Sequence, residues 1–205
     1  MKIGVLGDTF DPVHLGHIRM AGEARDALGL AEVIMVPAGQ PMSKLNQPVT
    51  AAEHRLNMLR LAVKDKPHLV VSTMEIERPG PTFTVDTITA LQHKYGEKAE
   101  IYFILGCDSL VQLPEWREPA SLVAMCRLVA VPRPGCPRPD MKVLERVIPG
   151  VTKRVIFLDK PYIDISATDI RDKVRGGGSI DGLVPAPVAE YIKKHQLYMS
   201  SGGKP

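Results

Sequence analysis

The sequence predicts an α/β protein: a Rossmann-like doubly wound parallel sheet with a small C-terminal helical extension. Three observations predict it. Short apolar, β-branched runs alternate with longer stretches whose apolar residues recur at helical spacing. Strands separated by helices pair in parallel through right-handed crossovers, which put helices on both faces of the sheet. The segments richest in chemically active side chains follow a strand or begin a helix, and such sheets bind ligands at those strand ends.

The strands are expected at residues 3–6, 32–37, 68–72, 100–105, 127–131 and 154–158. Helices are expected at 12–28, 51–63, 84–95 and 119–125. Beyond the last strand the pattern changes. A short helix is expected at 166–174, the triple glycine 176–178 ends it, and a second helix follows at 187–195. The proline-rich stretch 133–140 is read as a linker inside one domain. The expected organisation is a single domain over 1–198, its helical part beginning near 166, with a tail at 199–205.

The first strand runs into Gly7-Asp8-Thr9-Phe10-Asp11-Pro12-Val13-His14-Leu15-Gly16-His17. A strand, a glycine turn and a helix start together make an anion site, because unpaired N–H groups and the positive end of the helix dipole face one way. Asp11 suits the helix N-cap and Pro12 its first position. On that reading His14 lies in the first turn, His17 shares its face, and Gly16 leaves room for a ligand against the helix. No third ligand stands nearby to make the two histidines a metal pair.

Composition excludes several function classes. The chain has 205 residues, 44% hydrophobic and 24% charged, as a soluble globular protein with a sizeable core would. A net charge of +3 is too small to argue for nucleic-acid or membrane binding. Cys107, Cys126 and Cys136 are odd in number and lack paired spacing, so neither a disulfide framework nor a zinc site is expected. The expected setting is a reducing one, the cytoplasm. No signal peptide or membrane span is expected, and homo-oligomerisation is left open.

Four later segments carry further chemistry. Pro81-Thr82-Phe83-Thr84-Val85-Asp86-Thr87 opens a helix. Gly106-Cys107-Asp108-Ser109-Leu110, with Leu113-Pro114-x-Trp116, follows the fourth strand, where a carboxylate suits ribose hydroxyls. Arg133-Pro134-Gly135 follows the fifth. Ile165-Ser166-Ala167-Thr168-Asp169-Ile170-Arg171 begins the C-terminal part, with Ser166 as an N-cap and Asp169 three residues on. Arg171 offers a forked, permanently charged group to phosphate. Trp116, the only tryptophan, sits between Pro114 and Pro119 and is a stacking platform for a planar ring.

With the first motif, these segments resemble the nicotinate-nucleotide adenylyltransferase family of the HxGH nucleotidyltransferases, over about residues 2–198. The resemblance implies transfer of the adenylyl group of ATP to nicotinate mononucleotide, giving deamido-NAD and pyrophosphate in NAD biosynthesis. It implies ATP contacts at Gly7, Thr9, Phe10, His14, Gly16, His17, Gly106, Asp108, Ile165, Ser166, Thr168 and Arg171. Pyridine-nucleotide contacts fall on Lys44, Thr84, Trp116, Arg117 and Arg133, with Trp116 stacked on the pyridine ring. Backbone amides near Thr84 and Trp116 would meet its carboxylate. His14, His17, Lys44 and Arg171 are the expected catalytic groups, and magnesium would accompany ATP.

Two departures stand out. Met42-Ser43-Lys44 puts Ser43 where the family usually has a histidine, and Asp8 stands where a second glycine is common. A phosphate monoester is already largely ionised near neutral pH, so no strong general base is needed, and no buried carboxylate–histidine pair is evident in the motifs. The alternatives are adenylyl transfer to nicotinamide mononucleotide or to phosphopantetheine, and a nucleotide-binding regulator with weakened turnover.

Overall fold

A computed structural model describes residues 1–40, 48–96 and 98–199. Six strands form one sheet in the order β3-β2-β1-β4-β5-β6. They are β1 (Lys2–Asp8), β2 (Glu32–Pro37), β3 (Leu69–Val71), β4 (Glu100–Gly106), β5 (Arg127–Val131) and β6 (Val155–Phe157). Every adjacent pair is parallel, from Val33 opposite Leu69 in β2–β3 to Leu128 opposite Val155 in β5–β6. The doubly wound parallel sheet predicted from the sequence is therefore present, and the order reverses between β1 and β4.

Side chains alternate faces along a strand, and the core divides accordingly. Val33 and Met35 of β2, with Tyr102 and Ile104 of β4, meet one helical layer. That layer comprises α1 (Leu15–Leu28), α2 (Ala52–Val63), α7 (Ala167–Arg175) and α8 (Ala186–Lys194). Ala24, Met58, Leu59, Ile170, Val188 and Ile192 supply its apolar face. Ile34, Val36, Ile101, Phe103 and Leu105 point the other way. There they meet Ile88, Leu110, Leu122 and Leu144. These come from α3 (Thr84–Tyr95), α4 (Cys107–Val111), α5 (Pro119–Met125) and α6 (Met141–Val147). Burial on both faces explains why the strands are apolar throughout.

Most differences from expectation are of one or two residues at element ends. Three are larger. β1 continues through Gly7 to Asp8, with Gly7 opposite Val36, so Gly7 is strand and the turn begins after it. α1 begins at Leu15 with His14 as its extended N-cap residue, three residues later than expected. Pro12 is not its first residue; the Asp11–Pro12 peptide is cis, and Phe10 has φ 51°. The turn between β1 and α1 is thus an irregular loop of buried residues. Finally, α4 and α6 are additional helices. α4 has only 5 residues, too few to show a helical period. α6 is capped by Asp140, whose carboxylate accepts from the amides of Lys142 and Val143 at 2.8 and 3.4 Å.

Candidate active site

The carboxyl ends of β1 and β4 diverge at the reversal of strand order, opening a cavity of about 530 Å³. Gly7, Asp8 and Thr9 form its β1 wall and Gly106 its β4 wall. Thr84 at the start of α3 and Trp116 after α4 line the opposite side. Arg117 also lines it, its guanidinium 4.6 Å from the centre of the Phe83 ring.

Trp116 is half-buried and set edge-on to Phe103, with ring centres 5.9 Å apart. Its own amide donates to the Leu113 carbonyl at 3.1 Å inside a short 3-10 turn. The Trp116 amide itself is therefore already partnered inside the turn. The N–H groups of Thr84 and Val85, the first two residues of α3, have no acceptor inside their helix.

Behind this wall lies Glu75, which the sequence reading did not single out. It is 8% exposed and lines the cavity. The Thr87 hydroxyl donates to its carboxyl at 2.6 Å, tying the segment after β3 to the first turn of α3. Burial raises this carboxyl above its ordinary value, and its hydrogen bonds from Thr87 and Thr82 oppose the rise.

His14 and His17 lie beside the cavity at the start of α1, both buried. Their rings stack with centres 3.6 Å apart at 23°, close enough for one anion to meet both. The His14 amide donates to His17 Nδ1 at 3.1 Å. The neutral His17 ring then carries its proton on Nε2, which lies 3.3 Å from Asp8 Oδ2. The residue that departs from glycine supplies the carboxylate, and its side chain is 46% exposed, so only the histidine side of the pair is buried. Asp8 links the histidines to the cavity, whose wall it forms.

Burial first, then His17, lowers the His14 pKa to about 2, with Asp8 opposing and Arg133 adding to the fall. His14 is therefore neutral near pH 7 and offers a ring N–H rather than a charge. Gly16 does not leave open room for a ligand, as the sequence suggested. A Cβ there would come within 2.7 Å of Ile163 and 2.8 Å of His14 Nδ1. The glycine serves to let those two groups close over the helix start.

The loop between β1 and α1 is held from below. Arg55, on α2, is 1% exposed. Its guanidinium donates to the carbonyls of Thr9 at 2.7 Å, Thr50 at 2.9 Å and Gly39 at 3.3 Å. Burial pulls that guanidinium below its ordinary value, and Asp11 offers the largest compensation. Asp11 is not a helix cap. Its carboxylate accepts from the Thr50 amide at 3.2 Å and the Tyr198 hydroxyl at 2.6 Å. Phe10 is fully buried, its ring edge-on to His17 at 4.9 Å.

Ser166 caps α7, accepting from the Asp169 amide at 3.1 Å as the sequence suggested. Arg171, half-buried on that helix, donates to the Asp11 carbonyl at 2.7 Å and to Thr168 Oγ1 at 3.2 Å. Ile165, just before the cap, packs against the core. The second anion segment thus adjoins the first motif, although their residues are 160 apart.

Arg133 and Asp108 also meet, at 2.6 Å. Asp108 is the second residue of α4, which begins at Cys107 with Gly106 as its N-cap residue. Its carboxylate folds back over Gly106 so closely that a Cβ there would collide with it. Lys44 and Ser43 lie outside the described residues. No group of three or more histidine, cysteine or acidic side chains that could hold a metal occurs among the described residues. Nor is any helix among them long and apolar enough to cross a membrane.

A glycine-bearing strand end, two buried helix-start histidines and an arginine from α7 come together at the carboxyl end of the α/β sheet. A family profile described as cytidylyltransferase-like matches residues 5–173. A "probable nicotinate-nucleotide adenylyltransferase" of Dehalococcoides mccartyi is 48% identical over 198 residues, 97% of each chain. One so named from Thermomicrobium roseum is 41% identical, over 96% of this chain and 91% of its own. This chain belongs to the nicotinate-nucleotide adenylyltransferase family. Plasmodium falciparum nicotinic acid mononucleotide adenylyltransferase, solved as a complex with NaAD, shares the fold with a TM-score of 0.79 and 19% identity. The alignment covers 96% of this chain and 97% of that one.

Proposed function

We propose that this chain transfers the adenylyl group of ATP to nicotinate mononucleotide, giving deamido-NAD and pyrophosphate. The observation that carries the reading is the joining of two half-sites at the β1–β4 reversal. A cavity of about 530 Å³ with Trp116 and the α3 N-terminus in its wall abuts the His14–His17 pair through Asp8. The full-length relatives of the same family support it.

In the reaction a phosphate oxygen of the mononucleotide forms a bond to the α-phosphorus of ATP. The bond from that phosphorus to the bridging oxygen breaks, and pyrophosphate leaves with the electron pair. The acceptor is ionised at neutral pH, so positioning and charge stabilisation suffice. His14 donates a ring N–H to the transferring phosphate, and His17 donates its Nε2–H to it in exchange for Asp8 Oδ2. Arg171, with Thr168 and the first amides of α7 behind Ser166, holds the triphosphate. Gly7, Thr9, Phe10, Gly16 and Ile165 shape that cradle. Asp108 takes ribose hydroxyls beside Gly106, with Arg133 compensating its charge. Thr84, Trp116 and Arg117 receive the pyridine ring and its carboxylate; the family resemblance adds Lys44, which lies outside the described residues.

The donor set among the described residues suits a magnesium ion carried mainly on phosphate oxygens rather than in a protein cage. Such an ion neutralises charge on the triphosphate. The cytoplasm is the fitting compartment for a chain with three free cysteines.

Trp116→Ala is expected to weaken the pyridine nucleotide selectively, because the indole lies in the cavity wall and away from the histidines. Ring stacking is worth about 0.5–1.5 kcal/mol beyond area burial. Calorimetric titration with each ligand measures this; equal losses for ATP and the mononucleotide would assign Trp116 to the scaffold.

The acid is expected to be preferred over the amide by about tenfold or more in kcat/KM, since one unmatched buried polar contact costs about 1–3 kcal/mol. The first amides of α3 suit a carboxylate and not an NH₂. Kinetics with both mononucleotides at the same ATP and magnesium concentrations test it. Parity or an amide preference would overturn the substrate assignment and leave adenylyl transfer standing.

A further inference from the structure

We infer that Tyr198, at the C-terminal end of the described chain, is a positioning residue for the phosphate-transfer half of this site; the inference rests on the proposed adenylyl transfer. Its hydroxyl donates to Asp11 Oδ1 at 2.6 Å across 187 residues of sequence. Asp11 is 3% exposed and lies between Phe10 and the His14 cap, so its position sets the loop that presents both histidines.

Asp11 is where separate parts of the chain converge. Its second carboxylate oxygen takes the Thr50 amide, and its carbonyl takes Arg171. Arg55 spans from the Thr50 carbonyl to the Thr9 carbonyl, closing a ring of contacts beneath the loop. Tyr198 is the contact made from the C-terminal segment. Without its hydroxyl, Asp11 Oδ1 would be buried with one donor fewer, and the carboxylate would be free to turn. A turn of Asp11 moves the peptide whose carbonyl holds Arg171. It also moves the loop leading to His14. Both consequences fall on groups placed at the transferring phosphate, and neither falls on Trp116 or Thr84.

The backbone supplies a second, independent observation. Gln196 and Tyr198 have φ of 53° and 63°, in the left-handed region that bulky residues rarely enter. Strain of that kind persists where surrounding contacts over-determine it, and it gathers near functional sites. Here two such residues follow α8 directly and bring the Tyr198 hydroxyl back to Asp11. Upstream, α8 is anchored to α2 by different contacts: His54 Nδ1 lies 2.9 Å and Asn57 Nδ2 3.2 Å from the Tyr191 hydroxyl. Anchorage of the segment and orientation of Asp11 thus depend on different tyrosines. That separation makes the two roles experimentally distinct.

The test compares Tyr198→Phe with Tyr191→Phe, each losing one hydroxyl from the same segment. Tyr198→Phe is expected to lower kcat about tenfold, the effect of one buried hydrogen bond, with KM for nicotinate mononucleotide unchanged. Tyr191→Phe is expected to lower Tm and keep wild-type kcat. In the ligand-free proteins, the side-chain ¹⁵N resonances of His14 and His17 should move in Tyr198→Phe and stay in place in Tyr191→Phe. Wild-type kcat and unmoved histidine resonances in Tyr198→Phe would overturn the inference. So would equal, proportionate losses of kcat and Tm in both variants, which would make the segment merely structural. A wild-type protein that releases no pyrophosphate would instead refute the proposed reaction, and the histidine resonances would still decide the role of Tyr198.

Discussion

His17→Ala is expected to fold normally and to lose about 10²–10³ in kcat, the usual cost of removing one preorganised donor to a transition state. The expectation rests on where the ring is held. His17 Nδ1 takes the His14 amide, so the neutral ring presents its proton at Nε2, beside Asp8. The same arrangement separates binding from chemistry. Trp116 and Thr84 lie in the cavity wall, and the alanine variant leaves them untouched. KM for the mononucleotide should therefore stay close to wild type while kcat falls. Steady-state kinetics alongside a thermal melt make the comparison. A folded variant with near-wild-type kcat would remove His17 from the mechanism.

The second large effect is expected on stability. Arg55→Leu keeps the apolar stripe of α2 but strips the donor from three carbonyls, those of Thr9, Thr50 and Gly39. It also removes a buried cation whose largest compensating charge is Asp11. Leaving buried polar groups unpaired costs about 1–3 kcal/mol each where water cannot replace the partner. A total loss of about 3 kcal/mol would lower Tm by about 6–12 °C in a protein of this size. Turnover should fall as well, since the Thr9 carbonyl belongs to the loop before His14. A Tm within about 2 °C of wild type, a change below 1 kcal/mol on that scale, would show that water substitutes for the guanidinium.

Arg55 was also legible in principle. Residues 55, 58, 59 and 62 are all buried on α2, so the arginine stands at helical spacing in an apolar stripe. An arginine there needs internal acceptors, and the loop carbonyls supply them. Glu75 and Tyr198 gave no comparable signal. Their partners, Thr87 and Asp11, are 12 and 187 residues away, and nothing in local spacing predicts such contacts. The sheet was legible because its four central strands, β1, β2, β4 and β5, are buried on two faces and read as nearly continuous apolar runs. The loop between β1 and α1 was misread for a clear reason. Asp11-Pro12 is a good helix start by local propensity. Tertiary contacts from Arg171, Thr50 and Tyr198 instead hold it as irregular backbone. Asp8 was noticed only as a departure from glycine, and its pairing with His17 required the fold.

The central claim is the reaction itself, and product analysis tests it most directly. The purified chain, with ATP, magnesium and nicotinate mononucleotide, should yield deamido-NAD and pyrophosphate in equal amounts, identified by mass spectrometry and a coupled phosphate assay. ADP and orthophosphate as products, or no dinucleotide at all from a folded protein, would contradict it.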